Sequence, residues 1–205
     1  MIKGMASAHT AELINDFLGS THVFASSVND VIEERLLREV GPPQLTFSQF
    51  KLLKLVALTD AQTIGDVAAF LRVSNAAASK AVDKLVRQGL LFRKEAQSDR
   101  RAIQLSLTAS SRRVLAAYNA AKDRKLASVF REFRAQDLQR TADLLDRLTA
   151  GIVDHTAQEE EVCLQCGIYY REKCLVRQLV RRNCVYHRQR GRKNAPAAPQ
   201  GNGSQ

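Results

Sequence analysis

The stretch from Thr63 to Thr108 constrains this chain more than any other, because its start and stop signals are dense and mutually consistent. Thr63 can cap a short helix, Ile64–Leu71, with Asp66 three residues on as a capping-box partner. Leu71-Arg72-Val73 makes a turn. Ser74 can cap a second helix, Asn75–Gln88, and Gly89 supplies the left-handed residue that stops it. Leu90–Arg93 and Ala102–Leu107 then read as two strands, and the loop between them carries Ser98-Asp99-Arg100-Arg101. Helix, tight turn, helix and charged hairpin is the arrangement that lays a second helix into a DNA major groove.

The flanking sequence reads as helix. Thr10 to Val40 carries Leu13, Phe17, Phe24, Val28, Val31, Ile32, Leu36 and Leu37 as one apolar stripe, with Gly19-Ser20 as the place for a break. Gly41-Pro42-Pro43 ends it, because proline cannot continue the ladder. Thr46 caps Phe47–Leu58, with Phe50, Leu53, Leu55 and Val56 inward. After the hairpin, Thr108 caps a helix to about Phe133, with Val114, Leu115, Tyr118, Leu126, Val129 and Phe130 as its buried face. Ala135-Gln136-Asp137 is expected to break it. A last helix follows, striped by Leu138, Leu144, Leu145, Leu148 and Ile152. The fold class is therefore mostly α, a winged helix-turn-helix with long N- and C-terminal helices. Those outer stripes lack a large domain of their own to bury in, which points to a two-fold dimer; a monomer with its terminal helices folded back is the alternative.

The chain divides into a flexible 1–9, a domain over 10–155 with its winged core at 46–108, a basic four-cysteine segment at 160–190 and a tail at 191–205. The uncharged, small-residue end of that tail, 194–205, suits disorder. No run approaches the ~18 apolar residues of a membrane helix. The first residues lead into no apolar signal core, so a cytoplasmic protein without membrane contact is expected.

Net charge is +10, yet nine of the 31 Lys/Arg lie in 171–193 against the single acid Glu172. The rest of the chain holds 22 basic and 20 acidic residues, a net +2, so a DNA reading must rest on where the polar residues of the winged core stand and not on global charge. The second helix opens Ser74-Asn75-Ala76-Ala77-Ala78-Ser79-Lys80. Asn75 can bond an adenine edge twice, and Ala77 can pack on a thymine methyl. Ser74, Ser79, Lys80 and Lys84 suit phosphates or bases, and Arg93 and Arg100 suit phosphates. Ala78 and Val82 belong to the core.

From Phe47 to Thr108 the chain resembles the MarR family of winged-helix transcription regulators. The residues that carry the likeness are the Ser74-led helix, the Leu85-Val86-Arg87-Gln88-Gly89-Leu90-Leu91 exit, and Asp99-Arg100-Arg101 followed by Leu105-Ser106-Leu107-Thr108. Two positions depart from the family pattern: Ser110 or Ser111 where a glycine is usual, and Ser98 where an arginine often stands. The resemblance implies double-stranded DNA as partner, a homodimer on a pseudo-palindromic operator, and Arg101 in a narrow minor groove with Asp99 orienting an arginine or the hairpin tip. It also implies dimerisation helices outside the winged core, and it allows an unidentified small-molecule effector between them and the core. It offers nothing for the last fifty residues.

All four cysteines, Cys163, Cys166, Cys174 and Cys184, lie in that remainder. A CxxC pair plus two more cysteines within a short reach makes a tetrathiolate set. The second pair lacks the tight knuckle of a zinc ribbon, which favours an iron–sulfur cluster; structural zinc and metal-free thiols remain alternatives, with His187 a weaker ligand candidate. The basic neighbours would offset thiolate charge, and Tyr169-Tyr170, Leu175-Val176 and Leu179-Val180 would form an apolar shell. A regulator responsive to oxygen, redox state or iron is the combined expectation. A winged-helix protein-interaction module is the competing class. No catalytic residue set is found: there is no phosphate loop, HExxH or nucleophile elbow, and the four histidines are scattered.

Overall fold

The computed structural model describes residues 8–58, 62–96, 99–153, 166–180 and 184. Residues 1–7 and 191–205, Cys163 and His187 lie outside them. The N-terminal helix already includes Ala8 and His9.

The element order is α1 (Ala8–Ser27), a π-helical stretch (Val28–Arg35), α2 (Leu36–Val40), α3 (Phe47–Leu58), β1 (Gln62–Thr63), α4 (Ile64–Leu71), α5 (Asn75–Arg87), β2 (Leu91–Ala96), β3 (Asp99–Leu107), α6 (Ala109–Phe130), α7 (Ala135–Ile152) and α8 (Leu175–Val180). The irregularity in the N-terminal helix falls at Val28–Arg35, not at Gly19-Ser20, and α1 runs unbroken through Gly19. A tertiary contact explains the site: the buried Tyr118 hydroxyl of α6 donates to the Ile32 carbonyl at 2.9 Å. The wider π ladder leaves room for a carbonyl to turn toward a foreign donor.

The cap signals work as read. Thr46 and Gln49 exchange side-chain-to-backbone bonds of 3.0 and 3.3 Å at the start of α3. Thr63 and Asp66 close a full capping box on α4. Thr108 accepts from the Ser111 amide at the start of α6. Arg72 takes the left-handed conformation (φ +55°) after α4, and Gly89 does the same (φ +66°) after α5. For Arg72 this places a Cβ where glycine is usual; the amides of Arg72 and Val73 bond back to the carbonyls of Ala69 and Ala68, which holds the strained turn.

The wing differs from the expectation in two ways. Its strands are longer, and Asp99, Arg100 and Arg101 belong to β3 rather than to a loop. A third strand, β1, pairs antiparallel with β3, giving the order β1-β3-β2. Two residues before a helix cap are too short to announce a strand. The break before α7 comes at residues 131–134, one step earlier than Ala135-Gln136-Asp137 suggests. Arg134 is the N-cap there, held to Asp137 by an ion pair of 2.8 Å.

The core gathers Phe50, Leu52, Leu53 and Leu55 of α3, Val67 of α4, Ala78, Val82 and Leu85 of α5, Leu91 and Leu105 of the wing, and Tyr118 of α6. Phe50 and Tyr118 meet at 4.4 Å between centroids, their rings tilted by 53°. Each fully buried side chain of this size contributes about 1.5–3 kcal/mol. Val129, expected on the buried face of α6, is exposed, and the apolar stripes of α1 and α7 stand open at Leu13, Phe17, Phe24, Leu144, Leu148 and Ile152. Leu179 is exposed; of the expected apolar shell the two tyrosines and Val176 pack inward, and Ile168 joins them. Among the described residues, no helix is long and apolar enough to cross a membrane.

Candidate nucleic-acid interface and cysteine cavity

Helix α5 is set by its cap and its buried side. Ser74 accepts the Ala77 amide at 3.2 Å, which leaves its hydroxyl proton free to donate outward. Ala78, Val82 and Leu85 lock one face onto α4 and the wing. Ser74, Asn75, Ala76, Ala77, Lys80 and Lys84 are exposed, and Ser79 is half-buried at the edge. The small residues therefore stand on the open side, where they permit close approach of a partner surface. Arg87, also exposed, extends this face by another turn.

Asp83 sits on the same open face, and Arg93 of β2 bonds it at 3.1 Å. This fixes the wing against α5 and neutralises an acid that would otherwise repel a polyanion. Arg93 thus acts inside the interface before it can act on a phosphate. The backbone of Asp99, Arg100 and Arg101 lies on β3, with Asp99 paired to Ala96 beside a register shift between Glu95 and Ala96. That puts the three residues at the hairpin end of the wing.

The cysteine segment packs onto the domain instead of standing apart. Cys166, Cys174 and Cys184 line one cavity of about 260 Å³, with Asp146 and Thr149 of α7 and with Tyr169, Arg171, Val176 and Arg177. Gly167 takes φ +52° directly after Cys166, and the Tyr169 amide closes the turn onto the Cys166 carbonyl at 2.9 Å. The Arg177 amide points at the Cys174 sulfur at 3.5 Å, the kind of N–H···S contact that stabilises thiolate ligands. Cys163 lies outside the described residues. Among the described residues, no three cysteine, histidine or carboxylate side chains converge on a single ion position.

Asp146 anchors the segment. Its carboxylate is buried, 5% exposed, and the Arg171 guanidinium grips both oxygens at 2.6 and 2.7 Å. That bidentate bond raises the Arg171 pKa, against some desolvation, and the thiols of Cys174 and Cys166 add to the rise. A buried carboxylate is tolerable only with such a partner. Sequence gave no sign of the pair: an acid on an amphipathic helix reads as a solvated side.

On its other side the segment rests on the main core. Ile168, Tyr169 and Tyr170 close a second cavity of about 510 Å³ with Lys54, Leu115, Asn119 and Lys122. Lys54 donates to Asn119 at 2.5 Å, and its pKa is lowered by burial first and then by Lys122. The Tyr169 hydroxyl approaches Glu33 in the π-helical stretch without a well-formed hydrogen bond. Burial, then the Glu33 charge, pushes the phenol up; burial also raises Glu33, opposed by Lys51.

Residues 44–102 match the MarR family as a sequence family. A search of curated proteins gives no match. Among solved structures, the chain is similar to a MarR family transcription regulator (TM-score 0.60, 21% identity, 71% of this chain and 93% of that one). It is also similar to a MarR family protein from Bacillus stearothermophilus (TM-score 0.58, 18% identity, 74% and 100%). A third is FabT of Streptococcus pneumoniae, solved in complex with DNA (TM-score 0.57, 20% identity, 69% and 96%). The chain thus carries the winged-helix fold of MarR transcription regulators.

Proposed function

We propose that the protein is a DNA-binding transcription regulator that works as a homodimer on a pseudo-palindromic operator. The observation that carries this reading is the open face of α5, where Asn75, Ala76, Ala77, Lys80 and Lys84 stand clear beside the wing. Asn75 and Ser79 would read base edges, Ala77 would contact a thymine methyl, and Ser74, Lys80, Lys84 and Arg100 would hold phosphates. Arg101 would enter the minor groove, and Arg93 and Asp99 would brace the wing. FabT, which shares the fold, was solved on DNA. A second copy of the chain is what covers the exposed apolar residues of α1 and α7.

The test is operator binding at matched salt. Lys80→Ala and Arg101→Ala should each weaken binding about ten- to hundredfold, from the loss of roughly 1–3 kcal/mol per good contact. Lys80→Ala should also lower the salt slope by about one. Full affinity in both variants would overturn the DNA role and favour a protein-interaction module.

The cysteine cavity would hold a thiolate-ligated iron–sulfur cluster, with Cys163, Cys166, Cys174 and Cys184 as ligands. What supports it is the meeting of three thiols on one cavity, with an N–H···S contact and a guanidinium beside them. A single zinc ion is the second reading; it would leave sensing to a small molecule in the cavity under Tyr169 and Tyr170. Anaerobically purified protein decides between them: iron, labile sulfide and a visible band that bleaches in air, or one colourless zinc per chain.

A further inference from the structure

Helix α7 has two faces. At ~3.6 residues per turn, Asp146, Thr149 and Ala150 fall on one side and Leu144, Leu148 and Ile152 on the opposite side. The first side is buried under the cysteine segment, where Asp146 and Thr149 line the thiol cavity. The second is bare: Leu144, Leu148 and Ile152 are 46%, 40% and 76% exposed. The described cysteine segment holds its place on α7 through a charge pair, Arg171 to Asp146, as well as apolar contact. Arg171 lies between Cys166 and Cys174 in sequence and lines the same cavity as both. One guanidinium therefore touches the helix and faces the cavity.

We propose that the Asp146–Arg171 pair is the coupling joint of the protein, carrying the state of the cysteine cavity into α7 and so into self-association. This rests on the dimer and cysteine-site readings above. Binding an anionic thiolate group in the cavity draws on Arg171. The same guanidinium is half of the contact that ties the segment to α7, so loading the cavity and pairing the bare face would share one free energy. By reciprocity, whatever loading does to association, association does to loading. Asp146 and Arg171 are positioning residues here; neither is a ligand.

The test uses the full chain and measures subunit exchange between two differently labelled pools, so that a tight dimer is still readable. Each protein is compared after anaerobic loading with iron and sulfide and after chelation under thiol reductant. In the wild type, the exchange rate should differ at least tenfold between the two states. In Asp146→Asn, which keeps the shape of the side chain, the difference, compared at equal iron per chain, should fall within twofold. Arg171→Lys keeps the charge but not the two-point grip, and should give an intermediate, roughly threefold difference. Should Asp146→Asn fail to fold, Arg171→Lys alone decides, because it alters the more exposed partner. A full tenfold difference in the folded variants, or none in loaded wild type, overturns the joint and leaves the cysteine-site reading standing. A wild type that takes up neither iron nor zinc overturns the cysteine-site reading, and the joint with it. A monomer in both states overturns the self-association reading.

Discussion

The winged helix and the cysteine segment are held in place by different kinds of information. Between Thr63 and Thr108 nearly every boundary has a local cause: a capping box at Thr63, a cap at Ser74, a left-handed Gly89, a cap at Thr108. Between Cys166 and Val180 the one described helix has six residues and no strong cap, and the segment's position comes from what it touches. It leans on α7 through Arg171 and on the core through Ile168 and Tyr169. A locally encoded element forms wherever the chain is. A docked segment keeps its place only while its contacts survive, which suits a part whose state is meant to change.

The largest effect expected is the one that separates the two regions by stability. Leu85→Ala opens a hole where α5, α4 and the wing meet, and should cost about 2–5 kcal/mol in a single cooperative transition. Val176→Ala, buried in the docked segment, should leave the midpoint of that transition nearly unchanged while speeding alkylation of Cys174. Denaturant melts with parallel thiol labelling check both. Equal losses of global stability would mean that the segment is part of the core and not a docked piece.

Next in size is Arg171→Ala. It leaves the Asp146 carboxylate buried without its partner, and should cost about 1–3 kcal/mol by the penalty for an orphaned polar group. Because Arg171 keeps partial contact with solvent, the smaller part of that range is expected. The loss should appear as faster amide exchange in residues 166–180, with α5 untouched. Ser74→Ala removes a local cap and should cost about 1 kcal/mol, read as fraying at the start of α5 and weaker operator binding. If exchange rose in the cysteine segment as well, the separation between the regions would fail.

The smallest effect is one of pH. The folded-state pKa of Glu33 lies above its ordinary value of 4.5, because burial outweighs the attraction of Lys51. The folded chain therefore holds that proton more tightly than the unfolded chain. Its share of stability is present below about 4.5 and is lost as pH rises through the folded value. Glu33→Gln should thus raise stability at pH 7 by less than about 1 kcal/mol, given the carboxyl's remaining access to water, and should add nothing near pH 4. Melts at the two pH values check it.

The fold was legible largely because caps and turns act within four residues of themselves. α3, α4 and α5 fall where Thr46, Thr63 and Ser74 put them, and Ala78 and Val82 are buried as their spacing required. Misplaced features have distant causes. The π-helical stretch answers to Tyr118, eighty-six residues away. Strand β1 exists because β3 passes beside it. On the candidate interface the exposed row from Ser74 to Lys84 was readable from helical period alone, while the use of Arg93 on Asp83 was not.

The sequence by itself determined the order of helices, the winged core, the residues that open α5 and the presence of four cysteines within a basic stretch. Hydrogen bonds between near neighbours carry that information, and their geometry depends on few residues. Tertiary structure decided that Cys166, Cys174 and Cys184 share a cavity, that Asp146 is buried, and that Arg171 meets it across twenty-five positions. A carboxylate and a guanidinium look the same in sequence whether they face water or each other. Only the fold, by removing water from around Asp146, turns their pairing into a requirement.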